Sequence, residues 1–201
     1  MKITNTSQLR EIYGFPSGRS KDKALKELEP HSINFIGSSP FVVISTIDSK
    51  GKMDVSPRGG EIGFVKITNN SELLIPDSKG NNRVDSLSNI IETSRVGLLF
   101  FIPGIDETLR VNGSAIVSTS EDILNRFNSD SRPPISCIVV NIEEVFLHCA
   151  KAFMRSQLWN DETYIDPQDF PSMGQMMKDQ LKTTTEAESR EAMIERYSKD
   201  L

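Results

Sequence analysis

Thr108-Leu-Arg-Val-Asn-Gly-Ser-Ala-Ile-Val117 is the stretch of sequence that decides the fold class. Small or apolar residues occupy every second position from Leu109 to Val117, and polar residues stand between them from Arg110 to Ser114. Successive side chains of a strand point to opposite faces of a sheet. The alternation therefore predicts a strand with one buried face and one wetter face, which is typical of antiparallel sheets.

Further strands are predicted on both sides of this stretch. Long β-branched or apolar runs occupy residues 41–47, 95–102 and 135–147, and shorter ones occupy residues 53–56 and 72–75, each closed by a proline. Only the segments at residues 83–91 and 121–127 carry helical spacing between these strands. Five or six antiparallel strands with so few intervening helices favour a barrel over a parallel sheet.

Both ends of the chain are predicted to be helical. Short helical pieces fill the first 38 residues, including one over residues 17–28, and helical spacing returns after residue 150. Thr185 and Glu188 have the spacing of a capping box for a final helix that ends at Tyr197. We expect one domain over residues 1–201, with a β core at about 40–148 and helical extensions over 1–38 and 150–201.

Composition and charge exclude several classes of protein. The 201 residues are 37% hydrophobic and 25% charged, which is globular composition rather than disordered or fibrous. The formal net charge of −5 disfavours nucleic acid as a partner. The sequence has neither a long apolar run nor an apolar segment in its first ten residues, so we expect a cytoplasmic protein without membrane contact.

The cysteines and histidines predict neither a disulfide nor a metal site. Cys137 and Cys149 stand at the two ends of one predicted strand, about 40 Å apart at the rise of an extended chain, so we expect reduced thiols. His31 and His148 are the only histidines, and neither belongs to a metal-binding motif.

Two segments could carry chemistry. The first is Val55-Ser-Pro-Arg-Gly-Gly60, which places a cation on a Gly-rich corner just past a strand. Glycines allow a ligand to approach the backbone, and an arginine offers a planar fork for phosphate or a ring carbonyl. The alternative for this segment is an ordinary turn with a solvated arginine.

The second segment is Ile75-Pro-Asp-Ser-Lys-Gly-Asn-Asn-Arg-Val-Asp-Ser-Leu-Ser-Asn-Ile90, in which a strand ends, a polar loop follows and a helix begins near Asn82. Helix starts attract anions through their unpaired N–H groups and the helix dipole, and cations are normally disfavoured there. Lys79 and Arg83 therefore predict an anion site, with a capped surface helix as the alternative.

Taken in this order, the two segments resemble the FMN-binding split-barrel proteins related to pyridoxamine 5′-phosphate oxidase, and most closely an uncharacterised bacterial subgroup of them. Three further pieces carry the resemblance, which spans roughly residues 30–160: Pro40-Phe-Val-Val-Ile-Ser-Thr46, Glu107-Thr-Leu-Arg-Val-Asn-Gly113 and His148-Cys-Ala-Lys-Ala-Phe-Met-Arg-Ser-Gln-Leu-Trp159. It implies a mainly β fold, a six-stranded antiparallel split barrel with helices at both termini. It also implies a homodimer with one FMN in each of two clefts between the subunits.

The resemblance also assigns residues to the cofactor. Those beside the flavin ring or ribityl chain would be Ser56, Arg58, Pro76 and Asp77, and those that hold the phosphate would be Lys79, Asn82 and Arg83. The partner subunit would contribute Arg110, Lys151, Arg155, Ser156 and Trp159.

The expected function is that of an FMN-dependent oxidoreductase acting on an unidentified small molecule, with no catalytic residue assigned. The family's C-terminal substrate segment with arginine and histidine is missing, which weakens the case for pyridoxamine phosphate as substrate. The tail carries instead a stripe of Met173, Met176, Met177 and Leu181, for which core or dimer packing is the expectation. The alternatives are a non-catalytic flavin-binding or redox-sensing protein, and a split barrel that uses deazaflavin or haem.

Overall fold

The computed structural model describes residues 2–128 and 133–199. The chain divides into two compact units, Met1–Arg155 and Ser156–Leu201. The first unit contains the sheet, and the second is helical. The prediction of a single domain over residues 1–201 stays a prediction.

Seven strands of the first unit form one antiparallel sheet in the order β2-β1-β5-β6-β7-β4-β3. They are β1 (Phe41–Ile47), β2 (Met53–Gly59), β3 (Lys66–Asn69), β4 (Glu72–Asp77), β5 (Arg95–Phe101), β6 (Thr108–Ser118) and β7 (Ser136–His148). The predicted fold class, mainly β and antiparallel with flanking helices, is confirmed. The described residues form seven strands where six were expected, because β3 is too short and too polar to show a strand pattern in the sequence.

Six α-helices accompany the sheet in the described part of the first unit. They are α1 (Thr6–Tyr13), α2 (Arg19–Asp22), α3 (Pro30–Ser38), α4 (Asp85–Thr93), α5 (Glu121–Leu124) and α6 (Lys151–Ser156), which ends at the boundary between the units. No helix in residues 2–128 or 133–199 has the length and apolar character that crossing a membrane requires.

One face of the sheet carries the main core. Its members from the central strands include Ile44, Phe100 and Val111, all with no solvent exposure, and α3 and α4 add Ile36 and Ile90. Burial of one such side chain stabilises the fold by about 1.5–3 kcal/mol. The alternating apolar residues of β6 lie on the face of the strand that packs in this core.

Two prolines lie inside strands at positions where the sequence predicts strand ends. Pro57 continues β2, an edge strand on which a missing N–H leaves no ladder bond unmade. Pro76 continues β4 beyond the last residue that pairs with β3, which is Leu74. Both strands therefore extend far enough to bring predicted site residues to their ends.

Two helices differ from their predicted bounds. The helix expected over residues 17–28 is reduced to α2, because Leu25 pairs with Val145 of β7 as an isolated β-bridge. The helix expected to begin near Asn82 begins at Asp85 instead, because Asn82 and Val84 adopt left-handed backbone conformations.

The second unit contains α7 (Met173–Leu181) and α8 (Arg190–Ser198). Gly174 of α7 lies so close to the backbone of Glu188 that a Cβ would overlap it. The predicted capping box was wrong: the N-cap of α8 is Ser189, whose hydroxyl accepts from the Ala192 N–H at 3.1 Å. Met173 and Met177 are 49% and 42% exposed, so neither side chain is buried among the described residues.

Candidate functional site

Alternate residues of β2 put three polar side chains on the core side of the sheet. Ser56 pairs across the strands with the buried Ile44, and Asp54 and Arg58 share its face. The Ser56 hydroxyl donates to the Asp54 carboxylate at 3.0 Å. The buried Ser86 hydroxyl, from the first turn of α4, donates to the same carboxylate at 2.5 Å. Asp54 therefore ties β2 to the start of α4.

An ion pair joins two strands that are far apart in the sheet. Arg58 Nε of β2 lies 3.4 Å from Asp77 Oδ1 of β4, although four strands separate β2 from β4 in the sheet order. The sheet is therefore curled so that the ends of these two strands meet. The two side chains are 23% and 21% exposed, so water screens this pair less than an ordinary surface pair.

The loop from Ser78 to Val84 leads from β4 into α4. Asn82 and Val84 have positive φ angles of 60° and 47°. A positive φ is rare for a β-branched residue and costs about 1–3 kcal/mol. Strained backbone of this kind is typical of loops that bind a ligand. Val84 is the N-cap of α4 and provides no side-chain hydrogen bond. The first N–H groups of α4 therefore lack the usual side-chain acceptor.

The cations of this loop differ in their partners. Arg83 contacts Asp85, the first residue of α4, through Nε at 3.0 Å and Nη2 at 2.9 Å to the same carboxylate oxygen. Lys79 is exposed and has no hydrogen bond or ion pair within the described parts of the chain. Asn82 is exposed beside them. An anion at this helix start would meet one unpaired cation and one that is already paired.

Arg110 lies on the opposite face of the sheet from Arg58. The cross-strand pairs run from Arg110 to Leu99, from Leu99 to Val43 and from Val43 to Pro57, and these four residues share one face. Ser56 and Arg58 flank Pro57 in β2 and so face the other way. The structure therefore does not place Arg110 beside Arg58 within one chain.

Arg110 is held in a polar and aromatic cluster of its own. Its Nη2 donates to Glu144 at 2.9 Å, and its guanidinium carbon is 4.0 Å from the centre of the Phe146 ring. Asn112 donates to the same Glu144 oxygen at 2.9 Å. The Nε of Arg110 is buried without a hydrogen-bond partner. These contacts fix the direction of the guanidinium.

The remaining residues that the sequence assigns to the cofactor lie in β4, before the 78–84 loop, or follow β7 in the chain. Pro76 is half-buried in β4, and Lys151 and Arg155 are exposed on α6. Ser156 and Trp159 belong to the second unit. Their predicted contact with a cofactor, like that of the other assigned residues, stays a prediction.

Sequence reasoning missed four carboxylate or hydroxyl residues of these clusters. They are Asp54, Ser86, Asp85 and Glu144. The period of two in Asp54-Val-Ser-Pro-Arg58 was a signal that Asp54 shares a face with Ser56 and Arg58. Glu144 gave no such signal, because its pairing with Arg110 depends on the register of β6 and β7.

No metal site accompanies these groups. Within residues 2–128 and 133–199, no three histidine, cysteine or acidic side chains are grouped closely enough to hold an ion. Cys137 and Cys149 are both free, the first buried and the second exposed. Burial raises the pKa of the Cys137 thiol to about 12, so this cysteine is not a thiolate at neutral pH.

His148 extends the Arg110 cluster at the end of β7. Its ring centre is 5.0 Å from that of Phe146, over which Lys23 also lies, with Nζ at 4.6 Å from the ring centre. Burial, followed by repulsion from Arg110 and Lys23, holds the pKa of His148 below its usual value.

We expect His148 to make the fold less stable in acid. Its pKa is lower in the folded chain than the unfolded value of about 6.5, so the unfolded chain binds the proton more readily. Its stabilising contribution is complete above about pH 6.5 and is lost as the pH falls through the folded pKa. Urea unfolding at about pH 7.5 and about pH 5 should show a larger loss for the wild type than for His148→Gln. Equal losses in both proteins would contradict this assignment.

A strongly curled antiparallel sheet with a polar cluster between β2, β4 and α4 defines a split β-barrel protein. The sequence profile of the pyridoxamine 5′-phosphate oxidase family matches residues 28–149, which is more than half of the 201 residues. The chain belongs to this family. No curated protein matches the sequence at a significant level.

The solved structures of HupZ share the fold at low sequence identity. HupZ of Group A Streptococcus is 14% identical, with a TM-score of 0.51, and the match covers 60% of this chain and 93% of HupZ. A variant of HupZ gives the same score and identity, with 98% of that chain covered. A candidate pyridoxamine 5′-phosphate oxidase from Lactobacillus delbrueckii is 23% identical over 61% of this chain and 95% of its own, with a TM-score of 0.48.

Proposed function

We propose that this chain binds FMN at the β2–β4–α4 end of the sheet and is an FMN-dependent oxidoreductase for a small molecule. One observation carries the proposal. The Arg58–Asp77 ion pair and the Asp54–Ser86 hydrogen bond gather two strand ends and one helix start into a single polar region. Membership of the pyridoxamine 5′-phosphate oxidase family supports a flavin as the ligand of this region.

The loop before α4 suits the phosphate of FMN. A phosphate monoester carries about −1.5 to −2 charges near pH 7 and three acceptor oxygens. The uncapped N–H groups of α4, the exposed Lys79 and the guanidinium of Arg83 supply donors and positive charge. Asn82 adds an exposed amide to the same loop. Haem has no comparable fit here, because His31 and His148 lie on α3 and at the end of β7.

The strand ends suit the remainder of the cofactor. Ser56, Arg58 and Asp77 are half-buried and already held by hydrogen bonds or an ion pair, so little conformational entropy is lost when they contact a ligand. When bound, FMN supplies hydride or electron transfer that no side chain of this chain can perform. The role proposed for the protein is to orient the ring and set its charge environment through Arg58.

A homodimer completes the proposal. The face of the sheet opposite the core exposes Phe41, Met53 and Val55 at 37%, 56% and 65%, next to the half-buried Val43 and Leu99. An apolar face of this kind favours contact with another protein surface. This face also carries Arg110, and in the proposed dimer the Arg110 of the second copy would contribute to the flavin cleft.

Titration with FMN and with riboflavin tests the proposal, because riboflavin lacks only the phosphate. We expect one FMN per chain. Riboflavin should bind about a hundredfold more weakly, because it loses two charge-assisted contacts that each contribute roughly tenfold in affinity. Sedimentation should give a dimer in the FMN-loaded protein. Binding without any phosphate preference, or a monomer with FMN bound, would contradict the site as proposed.

Reduction of the bound FMN separates an enzyme from a flavin carrier. NADH or NADPH is added to the loaded protein without oxygen, and the loss of the visible flavin band is followed. Reduction, followed by reoxidation when a small acceptor is supplied, is the result expected for an oxidoreductase. Bound FMN that neither nicotinamide nor a reductase can reduce would favour the non-catalytic alternative.

A further inference from the structure

Three of the four arginines that the resemblance assigns to the flavin are already paired with a carboxylate of their own chain, and the fourth is Arg155 of α6. The pairs are Arg58 with Asp77, Arg83 with Asp85 and Arg110 with Glu144. The positive charge of these side chains is therefore largely compensated before any ligand binds. At the phosphate end of the site, Arg83 is paired with Asp85, whereas Lys79 has no ion pair among the residues that the structure describes.

Asp85 stands where the ligand's phosphate is expected. It is the first residue of α4, and its carboxylate is the only acidic group in the first turn. Both contacting nitrogens of Arg83 lie on one oxygen of Asp85, within 3.0 Å. The helix dipole stabilises anions at a helix start. The Asp85 carboxylate therefore lies where a phosphate would be stabilised, and it already pairs with the arginine that a phosphate would bind.

We propose that Asp85 is a specificity-determining residue, which sets how strongly the site favours one flavin over another by competing with the ligand's phosphate for Arg83. This inference rests on the proposed function, because it assigns a role at the proposed phosphate site. The Arg83–Asp85 pair is 73% and 45% exposed, so solvent screens it and a dianion can replace the carboxylate.

The competition makes the effect of Asp85 depend on ligand charge. A carboxylate that stays in the first turn repels a bound phosphate in proportion to the charge of that phosphate. FMN carries a monoester of nearly two charges near pH 7, each phosphate of FAD carries one, and riboflavin carries none. Removing the carboxylate should therefore help FMN most, FAD less and riboflavin not at all.

The test compares Asp85→Asn with the wild type for FMN, FAD and riboflavin, by flavin fluorescence at low salt. We expect Asp85→Asn to bind FMN about fivefold more tightly than the wild type. An exposed charge interaction contributes at most about 1 kcal/mol, which corresponds to this change in affinity. The riboflavin affinity should change less than about twofold. The FMN gain should shrink when the pH falls from about 8 to about 5.5, because the phosphate then loses its second charge.

Two control variants isolate the charge at this position. Asp85→Glu keeps the carboxylate and should retain the wild-type preference among the three flavins. Glu143→Gln removes a carboxylate from the exposed Arg95–Glu143 pair of β5 and β7 and should leave all three affinities unchanged.

The outcomes distinguish this inference from the proposed function. FMN binding by the wild type, with FMN and riboflavin affinities that change equally in Asp85→Asn, would overturn the role of Asp85 and leave the proposed function standing. Failure of the wild type and the folded Asp85→Asn variant alike to bind any of the three flavins would overturn both. Circular dichroism confirms the fold of each variant.

Discussion

The double variant Lys79→Ala/Arg83→Ala is expected to bind FMN about a hundredfold more weakly than the wild type. Each side chain would make one charge-assisted contact with the phosphate at the uncapped start of α4, and each such contact is worth about 1.5 kcal/mol, or roughly tenfold. Loss of Arg83 also leaves Asp85 unpaired beside the phosphate. Titration of the apo-protein with FMN measures the change.

Arg95→Ala is the matched control for this variant. Arg95 resembles Arg83 in exposure and in having one carboxylate partner, Glu143, but it lies on β5 outside the proposed site. Its removal should leave FMN affinity unchanged. The riboflavin affinity of the double variant should equal that of the wild type, because the lost contacts are to the phosphate. Equal FMN affinity of wild type and double variant would refute the phosphate position.

Gly113→Ala is expected to cause the largest loss of stability of any single methyl addition to the sheet. Gly113 is buried in β6 at a bulge, and a Cβ there would overlap the carbonyl oxygen of Asn141 in β7. The obstacle is backbone held by strand pairing on both sides, so it cannot turn away as a side chain can. We expect the free energy of unfolding to fall by about 3 kcal/mol, which lowers the midpoint of thermal unfolding by roughly 10 °C.

Gly97→Ala is the control for this loss, since Gly97 lies in β5 opposite β6. The nearest atom to its added Cβ would be Oδ1 of Asn112 at 3.3 Å, which belongs to a side chain that can shift. We expect this variant to lose less than about 1 kcal/mol. Thermal unfolding of both variants should separate them clearly, and similar midpoints would mean that the β6–β7 bulge adjusts freely.

The sheet could be predicted where the hydrophobic pattern is long. The strand bounds predicted for β1, β5, β6 and β7 agree with the structure to within one residue. A buried face repeats every second position in β1, β5 and β6, and a continuous buried run fills the first five residues of β7. β3 has only four residues with the sequence Lys-Ile-Thr-Asn, too short and too polar to show that period. The ends of β2 and β4 were misplaced because a proline marks a strand end only where its N–H would be needed.

The site could be predicted as segments but not as pairs. A strand end followed by Lys79, Arg83 and a helix is visible in the sequence, since helix starts and cations are local features. The Arg58–Asp77 contact cannot be predicted from the sequence. The two residues meet only because the sheet curls, and the order of the strands in this sheet differs from their order in the chain. Two cations at a helix start do not by themselves indicate that an anion binds there, because Arg83 is already paired with the Asp85 carboxylate.

The visible absorption spectrum of the purified protein shows whether this chain binds FMN. The protein is saturated with FMN, separated from free ligand by gel filtration, and then unfolded so that the released chromophore can be identified by mass. We expect flavin absorption that elutes with the protein at one FMN per chain. Protein that leaves the column colourless after this loading, or that binds haem or a deazaflavin in place of FMN, would contradict it.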